Sequence, residues 1–173
     1  MNRSIQKAVT SFALLGLVFS AAACDGSEES GVPSSPETSV EITIEGWEPL
    51  PRDSTDYDGV ILSQGLSDGD GAGSRLIVQK GIPSSQTAQT HADDLSFDLR
   101  SQGVDVKMFG GREIDGEDAV GLSYRNSTTE RRIQTWYVVK DGLRYTIILE
   151  PEEGAITFGK DAENVLDFIT LGQ

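Results

Sequence analysis

The feature that most constrains this chain is a run of period-two patterns interrupted by Asp-Gly dipeptides. Ile133, Tyr137 and Val139 share one face of a strand, Asp141-Gly142 supplies the residues a two-residue hairpin turn requires, and Leu143, Tyr145, Ile147 and Leu149 return on a single face. The opposite face carries Trp136, Val138 and Ile148 beside Arg132, Gln134 and Arg144, so it needs cover as well, and a helix is the expected partner. A second hairpin is expected around Asp115-Gly116, with Val104, Val106, Met108 and Ile114 before it and Val120, Leu122 and Tyr124 after it.

Upstream, Val40, Ile42 and Ile44 alternate with Glu41, Thr43 and Glu45. That strand is expected to stop at Gly46-Trp47, because Pro49 and Pro51 follow and proline cannot donate to a ladder. Residues 60–64 and 75–80 read as strands joined by the glycine-rich segment 65–74, a hairpin with a long tip. After Gly81-Ile82-Pro83 the period changes: Ala88, Ala92, Leu95 and Leu99 form one helical stripe, with Ser or Thr before it as caps and Gly103 at its end. Phe158, Ala162, Val165, Leu166 and Ile169 fit a second amphipathic helix ending at Gly172. Three strands, a helix, four strands and a helix, without βαβ units, predict an α+β domain over residues 40–173. Its sheet is expected to be mostly antiparallel, with about six to seven strands flanked by two helices.

The first residues read as an address. Arg3 and Lys7 precede an apolar run from Ala8 to Phe19, and Ala21-Ala22-Ala23 stand before Cys24. The run is shorter than the roughly 20 residues that span a bilayer. Small residues directly before a cysteine resemble a bacterial lipobox, which implies that residues 1–23 are removed as a lipoprotein signal peptide and that the Cys24 thiol is lipidated. The alternative is an ordinary A-x-A signal that releases a soluble chain with a free thiol. A lone cysteine in an exported protein favours lipidation, since it can form no intramolecular disulfide. Residues 24–39 then comprise the acylated cysteine and a Ser/Glu/Gly/Pro tether with a reach on the order of 20 Å.

Charge excludes one class of partner. The chain holds 28 acidic and 14 basic residues, a net charge of −14, and without the two cations of residues 1–23 the remainder carries −16. Such a domain repels phosphate backbones, so nucleic-acid binding is not expected. Catalytic signatures are sparse. His91 is the single histidine, which argues against His-based zinc sites, and its flank position on the first helix suits ordinary hydrogen bonding. Asp68 and Asp70 lie among glycines, but the twelfth position counted from Asp68 is Gln79 where a calcium loop needs Glu. Glu113, Asp115, Glu117 and Asp118 cluster at a turn and are the candidates for acid/base work or a weak divalent ion. Asn126-Ser127-Thr128 matches a glycosylation sequon. No metal site and no cofactor are expected. Trp47 stands at a strand end among Gly46, Pro49 and Pro51; it either packs at the sheet rim or, with Tyr57, lines a cleft or interface.

Gly46-Trp47, Ile114-Asp115-Gly116 with Ala119 and Tyr124, Arg132 with Gln134 and Tyr137, Asp141-Gly142 with Tyr145, and the segment from Phe158 to Phe168 together resemble the LpqN/LpqT lipoproteins of actinobacteria, within the PsbP-like group. The resemblance covers about residues 40 to 170 and implies a PsbP-like sandwich, a bacterial envelope location and a non-catalytic accessory or binding role. It carries over no catalytic residue. The expected protein is therefore anchored to the outer face of the cell membrane through lipid on Cys24, and it binds a partner protein or an apolar envelope molecule. Two other readings remain: an anchored hydrolase or lyase using carboxylates such as Glu113 and Asp115, and an acidic module that recruits a cationic partner.

Overall fold

The computed structural model describes residues 40–42, 45–51, 57–66, 73–151 and 155–172. The chain divides into Met1–Pro33 and Ser34–Gln173, and every described residue belongs to the second unit. The leader, Cys24, the tether, Ile44, Asp68 and Asp70 lie outside the described residues.

Seven strands form one antiparallel sheet in the order β2-β3-β4-β8-β7-β6-β5. They are β2 (Trp47–Pro49), β3 (Val60–Leu66), β4 (Ser74–Pro83), β5 (Val106–Ile114), β6 (Glu117–Arg125), β7 (Arg132–Lys140) and β8 (Leu143–Pro151). Helix α1 (Ala88–Ser101) covers one face, and a 3-10 helix (Lys160–Phe168) packs on the other with the ribbon of β1 (Val40–Ile42) and β9 (Ile169–Leu171). The α+β architecture with a mostly antiparallel sheet and two helices is the one expected from the sequence pattern.

The turns set the geometry. Asp115 and Gly116 take φ of 53° and 77°, and Asp141 and Gly142 take 51° and 73°, so each pair has the two left-handed residues that match a tight hairpin to strand twist. Asp141-Gly142 pairs Lys140 with Leu143, so even-numbered residues of β7 meet odd-numbered residues of β8: Trp136 opposes Ile147 and Val138 opposes Tyr145. The face expectation for this hairpin is thereby corrected. Trp136 and Val138 share the 3-10 face with Leu143, Tyr145, Ile147 and Leu149, whereas Ile133, Tyr137 and Val139 look toward the α1 face with Ile148. Both faces are apolar because both are covered, so hydrophobicity alone did not distinguish them.

Helix α1 is capped by Thr87, whose hydroxyl accepts the Thr90 N–H at 3.2 Å, and ends before Gly103 at φ 81°. Buried Ala88, Ala92 and Ser96 face the sheet, with Leu95 and Leu99 packed beside Val106, Leu122 and Tyr137. The C-terminal segment departs from expectation. Its helix is 3-10 and stops at Phe168, and Ile169–Leu171 extend as a strand against Val40–Ile42. At about 2.0 Å per residue, a 3-10 run reaches farther than an α-helix rising about 1.5 Å. Here the helix runs between a start where Gly159 N–H donates to Ser74 Oγ (3.3 Å) and the beginning of β9. Ala162, Val165, Leu166 and Ile169 are still the buried residues, so the apolar pattern identified the face while missing the helix type. Trp47 likewise begins a strand of the main sheet, paired with Leu66, and does not merely follow β1.

One close approach organises the 3-10 face. A Cβ built on Gly121 would lie 2.6 Å from the indole of Trp136, its cross-strand partner, so that ring lies flat over backbone that only glycine leaves bare. Gly121→Ala is expected to displace the indole and to destabilise the fold by about 1–3 kcal/mol. Urea unfolding and the near-ultraviolet dichroism of Trp136 measure both effects.

Candidate functional site

A cleft of about 340 Å³ opens on the 3-10 face between edge strand β5 and the 3-10 helix, lined by Phe109, Gly111, Arg112, Trp136, Glu163 and Asp167. A bulge builds its wall. The β5–β6 register shifts between Phe109 and Arg112, so Phe109 opposes Gly121 and Arg112 opposes Ala119. Two residues three apart, which a regular strand would point to opposite faces, thus both meet Trp136. The Phe109 ring stacks on Trp136 at 5.7 Å and 13°, and the Arg112 guanidinium lies 6.0 Å from the indole centroid. Arg112 Nη2 and Nε donate to Asp167 Oδ1 at 2.6 and 3.2 Å, which straps β5 to the 3-10 helix across the cleft. On the far side Trp136 Nε1 donates to Gln134 Oε1 at 3.3 Å, and Gln134 Nε2 donates to Glu163 Oε1. The indole is thereby held by stacking, a cation and a hydrogen bond at once.

The same face continues along the strands into a second depression of about 260 Å³, lined by Asp105, Lys107, Ser123, Tyr124, Arg125 and Arg132. Lys107 bridges the two, its Nζ lying 5.4 Å from the Phe109 centroid.

The residues singled out in the sequence are placed elsewhere. Trp47 is buried in the cluster formed by Leu66, Leu76, Trp136 and the 3-10 helix. Tyr57 packs against Ile77, Ile133 and Ile148 on the opposite face, and its hydroxyl donates to Glu150 Oε2 at 3.0 Å. The two aromatics are not brought together. Asp115 accepts hydrogen bonds from Lys140 Nζ (2.6 Å) and from the Leu171 N–H (2.8 Å), fastening β9 to the β5–β6 turn. This hydrogen bond, with lesser help from nearby acids, raises the Lys140 pKa against the opposing effect of burial. Glu113 opposes Asp118 across the β5–β6 ladder, and both are exposed. Asn126 uses its Oδ1 to accept the Thr128 and Thr129 N–H groups at 2.9 and 3.0 Å, an Asx turn. Among the described residues no three His, Cys, Asp or Glu side chains gather as metal ligands.

Ser84 Oγ lies 2.8 Å from His91 Nε2, a serine–histidine contact that the sequence did not single out. The same Oγ accepts the Gln86 N–H at 3.1 Å, and the His91 ring lies 5.8 Å from that of Tyr137, above which Arg144 sits at 5.9 Å. The contact thus joins the turn before α1 to the helix. Among the described residues no carboxylate hydrogen-bonds the other ring nitrogen, the second relay a nucleophilic dyad would need. Phe109 and Trp136 are the cleft residues that sequence reading passed over. The available signal was Gly110-Gly111 inside a strand pattern, which marks a bulge.

No family model matches the chain, and no curated protein matches it. Solved structures do. The crystal structure of LpqN, involved in cell envelope biogenesis of Mycobacterium tuberculosis, superposes with a TM-score of 0.50 at 14% identity, covering 83% of this chain and 88% of that one. The solution structure of cyanobacterial PsbP (CyanoP) from Synechocystis sp. PCC 6803 has a TM-score of 0.45 at 19% identity, covering 76% of this chain and 86% of that one. The likeness to LpqN is one of fold.

Burial, and then the neighbouring Arg144 charge, lower the His91 pKa below the ordinary imidazole value, with Asp94 opposing weakly. The folded state therefore resists a proton that the unfolded chain accepts. The stability linked to keeping this ring neutral is present above the ordinary histidine pKa and is lost as pH falls through the lowered one. Because His91 is the chain's single histidine, its ring signals in an NMR titration are unambiguous, and their midpoint is expected below that of a histidine in a short peptide.

Proposed function

We propose that this chain is an extracytoplasmic lipoprotein of the bacterial envelope, anchored through lipid on Cys24, and that it serves as a non-enzymatic accessory module binding an apolar envelope molecule or an apolar segment of a partner protein in the cleft over Trp136. The observation that carries the binding part is the cleft itself. Phe109 and Trp136 form an aromatic wall beside an edge strand, and the surrounding polar groups orient it, which is the composition of a ligand site. Among the carboxylates singled out in the sequence Asp115 ties down β9, and His91 joins the turn before α1 to the helix.

The anchoring part is supported by the order of the first residues, in which an apolar run and three alanines precede the single cysteine. LpqN, which shares the fold, is described as involved in cell envelope biogenesis, and a similar setting suits a domain carried on a tether. Two acyl chains hold a protein stably on a membrane, where one does so only marginally. Replacing Cys24 with Ser is expected to abolish incorporation of labelled fatty acid and to move the protein from the membrane fraction to the soluble fraction, with its circular dichroism unchanged. Membrane fractionation identical to the parent would refute the anchor.

A further inference from the structure

The depression beside the cleft has a chemistry that the acidic whole does not share. Lys107, Arg125 and Arg132 line about 260 Å³ together with Ser123, and Asp105 is the acid among the lining residues. Arg125 meets Glu130 at 4.0 Å, both side chains being largely exposed, a pair of little energetic weight. Lys107 and Arg132 form no ion pair among the described residues. Ile156, half exposed, adjoins this depression, its carbonyl accepting the Arg132 N–H at 2.8 Å.

Strand register ties this basin to the aromatic wall. Lys107 and Phe109 are alternate residues of β5, Ser123 and Gly121 alternate on β6, and Arg132, Gln134 and Trp136 alternate on β7, so all face the 3-10 side. At about 3.3 Å per residue, the cations lie about 7 Å (Lys107 to Phe109) to 13 Å (Arg132 to Trp136) along the strands from the rings. Two depressions on one face thus follow one another along the strands, one carrying positive charge and the other the stacked Phe–Trp pair, with Gln134 and its partner Glu163 in the row between them.

We propose that these two depressions together bind a single amphiphile with an anionic head, its phosphate or carboxylate between Lys107 and Arg132 and its chain passing over Gln134 to lie along Phe109 and Trp136. The inference rests on the cleft reading above and specifies its ligand. A polyanion is disfavoured because the net charge of −14 repels extended negative charge, whereas one small head within a Debye length of about 8 Å is governed by the local cations. Each charge-assisted hydrogen bond in such a basin is stronger than a neutral one.

The test uses detergent-free full-length protein and monomeric dodecyl phosphate, laurate, dodecyl maltoside and inorganic phosphate, with the Trp136 indole N–H resonance and calorimetry as readouts. Dodecyl phosphate and laurate are expected to shift the indole signal and to bind at least about tenfold more tightly than dodecyl maltoside. The double variant Lys107→Gln/Arg132→Gln is expected to remove that advantage while leaving dodecyl maltoside binding and the far-ultraviolet dichroism unchanged. Phe109→Ala is expected to weaken all three chains. Equal affinity for charged and neutral chains, insensitive to the double variant, would overturn the anionic head while the cleft reading stands. Inorganic phosphate binding as tightly as dodecyl phosphate, with no response to Phe109→Ala, would overturn both, as would the absence of any indole shift.

Discussion

The structure depends on a parity fixed by two tight turns. Asp115-Gly116 and Asp141-Gly142 each leave the residues that flank them directly paired, and with the bulge between Phe109 and Arg112 the ladders align Phe109, Gly121, Trp136 and Ile147 in one row across four strands. In that row a glycine sits between two aromatics, so the indole settles over the backbone and the Phe109 ring stacks on it. A side chain at Gly121 would fill that space, a slip of β7 by one residue against its neighbours would send Trp136 to the α1 face, and a slip of β5 would carry Phe109 away from it. The cleft is therefore a consequence of register before it is a consequence of any polar contact.

The two faces of the sheet are put to different uses. Helix α1 presents Ala88, Ala92 and Ser96, small residues that let it sit close to Val106, Leu122 and Tyr137. The opposite cover is a 3-10 helix and a two-stranded ribbon, which bury Ala162, Val165, Leu166, Ile169 and Leu171 in the main core and are pinned at their margins by hydrogen bonds. Gly159 N–H meets Ser74, Arg112 meets Asp167, Asp115 receives the Leu171 N–H, and Tyr145 donates to the Gly172 carbonyl at 2.8 Å. The cleft over Trp136 lies between this cover and edge strand β5. Two carboxylates of this helix, Glu163 and Asp167, line the cleft and engage Gln134 and Arg112, so the walls are positioned from both sides.

Much of the architecture was legible in the sequence, because alternation and Asp-Gly turns are local signals that tertiary packing here reinforced. Helix α1, both hairpins and the antiparallel order follow from them. The face assignment of β7 and β8 did not follow from apolarity, since Ile133 and Tyr137 are as buried as Trp136 and Val138; turn length held the answer. Ile169 and Leu171 carry a pattern compatible with helix or strand, and pairing with distant Val40 decided it. Trp47 drew attention because prolines surround it, yet it lies in the core. Phe109 and Arg112 were passed over because their shared face exists only through the Gly110-Gly111 bulge, whose effect on direction requires the ladder to be known.

The central claim, that the Phe109–Trp136 trough is where this protein meets its ligand, is tested most directly by placing a photo-reactive benzoylphenylalanine at position 109 and irradiating intact cells. Position 97, where Phe is 74% exposed on the far side of α1, serves as the comparison. The account predicts a discrete adduct from position 109 that position 97 does not give. Equal labelling from both sites, or none from position 109 in a folded and correctly located protein, would contradict it.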